Sequence, residues 1–315
     1  MLDLAVIGAG IMGTNHARIA ASHPRVALRA VCDGDRLRAD AVAQAHNASA
    51  FTSLSDLPSS IEAAVVATPT PTHAPIVIEL LERGIHVLVE KPIAATVEEA
   101  VKMVEAAERT GLVLAVGHVE RFNPVVLQLE GLVSDPLHFD AARISPYSGR
   151  VRDGVVLDLM IHDLDIVEML AASFVRAIDG KAQRIHSDTE DLACALLEFE
   201  SGATATITAS RAGQNKIRRL EITQPANFLT VDLLRQDIQI NRVAHEEFVS
   251  GVGARYRQQG IVEIPFIEAR GEPLFLEMDD FVAAIADSRS PRVTGRGGLR
   301  ALELCFQVLA ATGDP

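Results

Sequence analysis

Residues 2–7 (LDLAVI) form a short, nearly unbroken apolar run of strand length, the pattern of a strand covered on both faces. Comparable runs recur at 26–32, 63–68, 85–90 and 112–117. Between them lie stretches of helical spacing, from the glycines after residue 7 to about residue 22, then 75–84 with Gly84 as a stop, and 97–111. Thr96 is placed to cap the last of these, and Glu99 three residues on completes a capping box. Such alternation predicts a parallel, doubly wound sheet with right-handed crossovers, whose ligands bind beyond the carboxyl ends of the strands.

After Gly117 the pattern changes. Residues 119–132 look helical, and strand-like runs follow at 137–144, 191–199, 203–209, 216–223 and 227–232 without regular helices between them. Glu200-Ser201-Gly202 joins two of these runs as a hairpin. A long helix is expected at about 155–171, and two more at about 273–287 and 297–311. This predicts a second, α+β domain with a largely antiparallel open sheet. The expected boundaries are 1–118 and 119–315, with the C-terminal helices free to pack back on the first domain.

Composition adds exclusions. The 315 residues are 48% hydrophobic and 23% charged, with a formal net charge of -13. That balance suits a globular chain and gives no pull towards nucleic acid or an anionic membrane. Cys32, Cys194 and Cys305 are far apart and show no metal-ligand or redox spacing, so a reducing, cytoplasmic setting is expected. The opening MLDLAVIGAG has neither the basic flank nor the apolar length of a signal peptide or anchor.

Chemistry enters first at GAGIMG (8–13), which lies between a strand and a helix, where a dinucleotide-binding Rossmann domain needs it. Gly8 permits the tight turn, Gly10 lets a diphosphate approach the backbone past Ile11 and Met12, and Gly13 allows close helix–strand packing. The free N–H groups at the helix start favour the anion. Asp33 ends the second strand about 20 residues on, where a carboxylate accepts the adenosine ribose hydroxyls and repels a 2′-phosphate. NAD is therefore expected over NADP, with Arg36 and Arg38 as the opposing signal. Three strand ends on the same edge carry reactive groups: Thr68-Pro69-Thr70 with His73 nearby, Glu90-Lys91, and His118. The stretch HVLVEKP (86–92) ends either in a solvated loop or in a lysine aimed into a cleft.

On the helix at 155–171, Asp158 and His162 stand at i and i+4 and share a face, with Asp165 three residues further along. A carboxylate there can fix the tautomer of a general-base imidazole. A solvated polar stripe is the alternative, because Asp163 and Glu168 decorate the same helix. The spacing matches no standard metal site, so no metal is expected. A lysine ammonium ordinarily titrates near ~10.4 and would need about 4 kcal/mol of differential stabilisation to act as a neutral base, whereas an imidazole starts near ~6.5. Proton acceptance is therefore given to His162, ring orientation to Asp158, and hydrogen bonding to the reacting oxygen to Lys91.

GAGIMG, ATPTPTH, VEKP and DLMIHDLD together resemble the glucose–fructose oxidoreductase/inositol dehydrogenase/MocA family over essentially the whole chain. The resemblance implies an NAD-dependent dehydrogenase acting on a sugar CH–OH group. Lys91, Asp158 and His162 would be its catalytic group, and Thr68, Thr70, His73 and Glu90 would lie by the cofactor. It also implies a homodimer or homotetramer built through the C-terminal sheet, and it draws attention to Lys91–Pro92 as a candidate cis peptide. GHVERFNP (117–124), ASR (209–211) and KIRRL (216–220) narrow the resemblance to the nucleotide-sugar branch, which oxidises the 3-hydroxyl of a UDP-N-acetyl sugar. His118, Arg121, Asn123 and Arg211 are the expected substrate contacts, and Lys216, Arg218 and Arg219 further candidates for the diphosphate. A free polyol or aldose is the alternative substrate, and a non-catalytic NAD(H)-binding sensor the alternative role.

Overall fold

The computed structural model describes residues 1–148, 153–250 and 253–313, the side chains of 243–259 excepted. The first ten elements are β1 (Leu2–Ile7), α1 (Ile11–Ser22), β2 (Val26–Cys32), α2 (Arg36–Ala45), β3 (Ser49–Phe51), β4 (Ala63–Val66), α3 (His73–Glu82), β5 (His86–Glu90), α4 (Val97–Thr110) and β6 (Leu114–Gly117). They are followed by α5 (Pro124–Leu129), β7 (His138–Ile144), α6 (Ile161–Ala171), β8 (Val175–Gln183), β9 (Leu192–Phe199), β10 (Thr204–Ser210), β11 (Ile217–Thr223) and β12 (Phe228–Asp232). β13 (Asp237–Ser250), β14 (Gly253–Glu263), α7 (Pro273–Ala286) and α8 (Gly295–Thr312) complete the order. The chain divides into two compact units, Met1–Phe122 with Gly271–Glu303 and Asn123–Arg270 with Leu304–Pro315.

The first unit is built on a six-stranded parallel sheet in the order β3-β2-β1-β4-β5-β6. Leu4, Val6, Val65, Val87 and Val89 are fully buried, which is why these strands read as continuous apolar runs. α7 joins this unit by placing Leu274, Met278 and Phe281 in one core with Ala17, Ile19 and Ala20 of α1. Thr96 caps α4 by accepting the Glu99 N–H at 3.2 Å, and the Glu99 carboxylate reaches back to the Ala95 N–H.

The second unit carries an eight-stranded sheet in the order β14-β13-β12-β11-β7-β10-β9-β8. Every pairing is antiparallel except β7–β10, which is parallel. Alternation sets its faces: Ala193, Ala195 and Leu197 of β9 and Ala205, Ile207 and Ala209 of β10 are buried, while Cys194 and Leu196 are exposed. α6 packs on β7 and β10 and is pinned there by a buried two-pronged pair. In that pair Arg143 Nε and Nη2 donate to the two oxygens of Asp163, each at 2.8 Å.

Two expected helices differ from the patterning. Residues 119–132 form a 3₁₀ turn over Val119–Phe122 and then the short α5, because Pro124 must occupy a first-turn position and Asn123 adopts an extended backbone to cap it. The helix at 155–171 begins with a π-helical segment, Val156–Met160, before α6.

Candidate active site

At the carboxyl edge of the parallel sheet, Gly8 has φ +96° and a Cβ on it would stand 2.5 Å from the Ala67 carbonyl oxygen. A Cβ on Gly13 would collide with the Gly8 carbonyl, so β1 and α1 meet here only through glycine. Gly10 opens on free space and caps α1 with no side-chain bond, which leaves the first N–H groups of that helix facing outward beside exposed Ile11 and half-buried Met12. This is a cradle for a diphosphate. Asp33 closes it, with Oδ2 accepting the Ala9 N–H at 2.7 Å and Oδ1 the Asp35 N–H at 2.8 Å. The opposing signal from the arginines is answered locally. Arg36 pairs with Asp40, and Arg38 with Asp33 and Asp35.

The neighbouring strand ends are tied to one another. His73 is buried between two carbonyl oxygens, Pro92 at 3.0 Å from Nδ1 and Thr68 at 2.8 Å from Nε2. It therefore braces the turn after β4 against the turn after β5. Thr68 and Thr70 are half-buried in the first of these turns, and Thr72 Oγ1 lies 2.8 Å from Thr68 Oγ1. The Lys91–Pro92 bond is cis. Lys91 is half-buried, and its N–H donates to Glu90 Oε2 at 3.2 Å.

Glu90 has a second partner, His16 Nε2, 2.8 Å from its Oε1. Burial alone pushes the Glu90 carboxyl up. The His16 hydrogen bond, the charges of His16 and Lys91, and the Lys91 N–H together outweigh that and hold it below the ordinary carboxylate range. Behind it sits Glu277 of α7, 2% exposed, with neither carboxyl oxygen hydrogen-bonded. Burial drives this carboxyl well above its ordinary value, and the charges of Glu90 and Asp280 add to the effect. His16 and Glu277 escaped the reading of the sequence. The available signal was Glu277's position three residues after Leu274 and four before Phe281, an acid on an apolar helical face. His118 is fully buried at the end of β6, and Arg121 is half-buried in the following 3₁₀ turn.

A second set of groups gathers in the other unit. Glu190 starts the helical segment: its carbonyl accepts the Val155 N–H at 3.0 Å, and its Oε1 the Val156 N–H at 3.2 Å. The π segment then presents Asp158, with His162 on the first turn of α6, both half-buried, while Asp165 is buried. π segments are frequent at functional positions. Arg211 lies 3.5 Å through Nη2 from Asp158 Oδ2 and donates to the Asp153 carbonyl at 2.6 Å. It is 3% exposed, and its Nη1 is buried without a hydrogen-bond partner. Asp158 and Arg211 line a cavity of about 330 Å³ together with Ser145, Tyr147, Lys216 and Arg218. Asn123 is not open to a ligand in this way. Its amide donates to the Leu233 carbonyl at 3.0 Å and accepts the Val125 N–H at 3.3 Å.

A groove of about 530 Å³ lies at the opposite edge of the parallel sheet, by His86 and Leu114. Its cations Arg289 and Arg296 are paired with Asp280 and Glu108, so it offers little to an anion.

The description "Oxidoreductase family, NAD-binding Rossmann fold" matches residues 2–118, and "GFO/IDH/MocA C-terminal domain" matches residues 126–224. A UDP-N-acetylglucosamine 3-dehydrogenase of Acidithiobacillus ferrooxidans is 31% identical over 97% of this chain and 96% of its own. Its solved structure superposes with a TM-score of 0.88, covering 98% of this chain and 97% of that one. The NAD(+)-dependent scyllo-inositol 2-dehydrogenase of Bacillus subtilis is 27% identical over 92% of this chain and 88% of its own. A levoglucosan dehydrogenase solved with NADH and levoglucosan has the same fold, with a TM-score of 0.83 at 20% identity. With the glycine cradle, Asp33 and the two matched domains in place, the chain belongs to the GFO/IDH/MocA family of NAD-dependent oxidoreductases.

Proposed function

We propose that the protein oxidises the 3-hydroxyl of a UDP-N-acetyl sugar, UDP-N-acetylglucosamine in the first instance, to a 3-keto sugar. The observation that carries this reading is the cavity in which Asp158 shares its walls with Arg211, Lys216 and Arg218. A carboxylate placed to serve a base thus sits among cations suited to a diphosphate, in a chain whose net charge is -13. The named substrate of the A. ferrooxidans relative points the same way.

Bound NAD supplies the hydride acceptor. His162 takes the proton of the substrate hydroxyl, and Asp158 holds the imidazole in the accepting tautomer. Arg211 keeps Asp158 in place, and Lys91 hydrogen-bonds the reacting oxygen as alkoxide character develops. Glu90 anchors the backbone from which Lys91 projects. The open sheet face of the second unit is assigned to a homo-oligomer.

The test mixes protein and NAD with UDP-N-acetylglucosamine, myo-inositol or glucose and follows the absorbance of reduced nicotinamide. Reduction confined to the UDP-sugar supports the reading. Reduction with myo-inositol or glucose alone replaces it with a polyol or aldose dehydrogenase. His162→Ala and Lys91→Ala should each lower turnover by about 10²–10⁴-fold while NAD still binds. Near-normal turnover in His162→Ala would remove the base assignment.

A further inference from the structure

The cavity of about 330 Å³ beside Asp158 owes part of its wall to a stretch with no role in the proton transfer. Ser145, which follows β7, is anchored twice: its N–H donates to the Ser210 carbonyl at 2.8 Å, and its carbonyl accepts the Gly213 N–H at 3.2 Å. Pro146 and Tyr147 come next and line the cavity, together with Leu159, the residue after Asp158 in the π segment. Tyr147 is 45% exposed, so its ring is open to a ligand.

That ring is held as well. It lies 5.2 Å from the ring of His186, tilted at 55°, within the range of a stabilising aromatic contact. His186 belongs to a loop fastened to buried Asp191, whose Oδ2 accepts the N–H groups of Ile185, His186 and Ser187 at 2.8, 2.6 and 2.9 Å. The backbone carbonyl of Asp191 in turn accepts the Arg211 N–H at 2.8 Å. One buried residue thus sets two parts of the same cavity, the aromatic pair and the cation beside Asp158.

We infer that Pro146, Tyr147 and Leu159 seat the acetamido group on carbon 2 of the sugar, and that Tyr147 sets the preference for it. This rests on the reading above, in which carbon 3 is the reacting carbon. The group on carbon 2 is then the neighbour of the hydroxyl served by His162 and Asp158, so it falls within reach of the cavity that Asp158 lines. A polyol or an aldose carries a hydroxyl at that place. Against proline, leucine and the face of a phenol, a hydroxyl gives up water and finds few partners. An acetyl methyl gains by leaving water there. These walls therefore favour a 2-acetamido sugar over a fully hydroxylated one.

The experiment measures kcat and KM for NAD reduction by the full-length protein with UDP-N-acetylglucosamine and with UDP-glucose, in wild type, Tyr147→Ala, Tyr147→Phe and His186→Ala. Both positions are exposed, and an unchanged melting profile confirms folding of each variant. Wild type should favour the acetamido sugar in kcat/KM by about tenfold or more. Tyr147→Ala should bring that ratio close to unity through a higher KM for UDP-N-acetylglucosamine. Tyr147→Phe keeps the ring and should keep the ratio, and His186→Ala should fall between the two. If wild type oxidises both sugars equally well, or if Tyr147→Ala leaves the wild-type ratio in place, the seat is overturned and the proposed function stands. If wild type oxidises neither, the nucleotide-sugar reading fails and takes the seat with it.

Discussion

Two buried carboxyls, one in each unit, show how little burial alone decides. Asp191 at the head of β9 is fully buried and accepts four hydrogen bonds: the N–H groups of Ile185, His186 and Ser187, and the Ser187 hydroxyl. Burial pushes it up, but these donors outweigh it and bring it down to about 2. Glu277 is as deeply buried and has no donor, so burial prevails and its carboxyl is pushed well above the ordinary value. Donors, supplied mostly by backbone, fix the charge. Asp191 also supports the site directly, since its carbonyl accepts the Arg211 N–H at 2.8 Å.

The largest effect is expected from Asp191→Ala. It removes the acceptor of three part-buried N–H bonds and of the Ser187 hydroxyl at once, and should lower the urea midpoint of the second unit sharply. An unchanged midpoint would break the comparison. Next comes Glu90→Gln, which keeps the shape but removes the charge beside Lys91. Turnover should fall about tenfold or more with NAD affinity little changed, read from kcat and a separate NAD titration.

A smaller effect, of opposite sign, is expected from Glu277→Gln. The folded value of Glu277 is raised, so its contribution to stability is present below the ordinary carboxyl range and is lost as pH rises towards the folded value. The variant should melt a few degrees above wild type at pH 8, about 2–4 °C, and converge with it near pH 4. The smallest effect is the acid limb. Asp191 has a depressed value, so its contribution is present above about pH 4 and disappears as pH falls through about 2. Asp191→Asn should flatten that limb in a melting-temperature series.

The parallel sheet was readable because its strands are covered on both faces: Val87, Leu88 and Val89 announce β5 without help from their neighbours. β13 and β14 were not announced either, but two of the unannounced strands have local reasons. β3 is three residues long, and β8 (VRAIDGKAQ) exposes Ala177, Asp179, Lys181 and Gln183 along one side and buries no residue fully on the other, so neither stands out from a loop. The site divides similarly. Gly8, Gly10, Gly13 and Asp33 form a local motif, legible in sequence. The Asp158–Arg211 pair is brought together across 53 residues, and Glu190, which caps the π segment, lies 34 residues from the N–H it accepts. No periodicity encodes such meetings. They depend on tertiary packing, as does the π segment itself, whose sequence VLDLM contains no helix breaker.

The parallel pairing of β7 with β10 has a consequence in time. Thr204 and Thr206 of β10 lie 2.8 and 3.0 Å from the ring nitrogens of His138 on β7, 66 and 68 residues earlier in the chain. At a synthesis rate of about 5–20 residues per second, β7 therefore leaves the ribosome several seconds before β10 exists. β11, its other neighbour, is made later still. Throughout that interval Phe139 and Ala141, which end fully packed, have no strand to pair with. Everything made meanwhile, including the segment that presents Asp158 and His162, is synthesised before the sheet that will support it. The centre of this unit is thus the part of the nascent chain most dependent on being kept from other exposed strands until its own arrive.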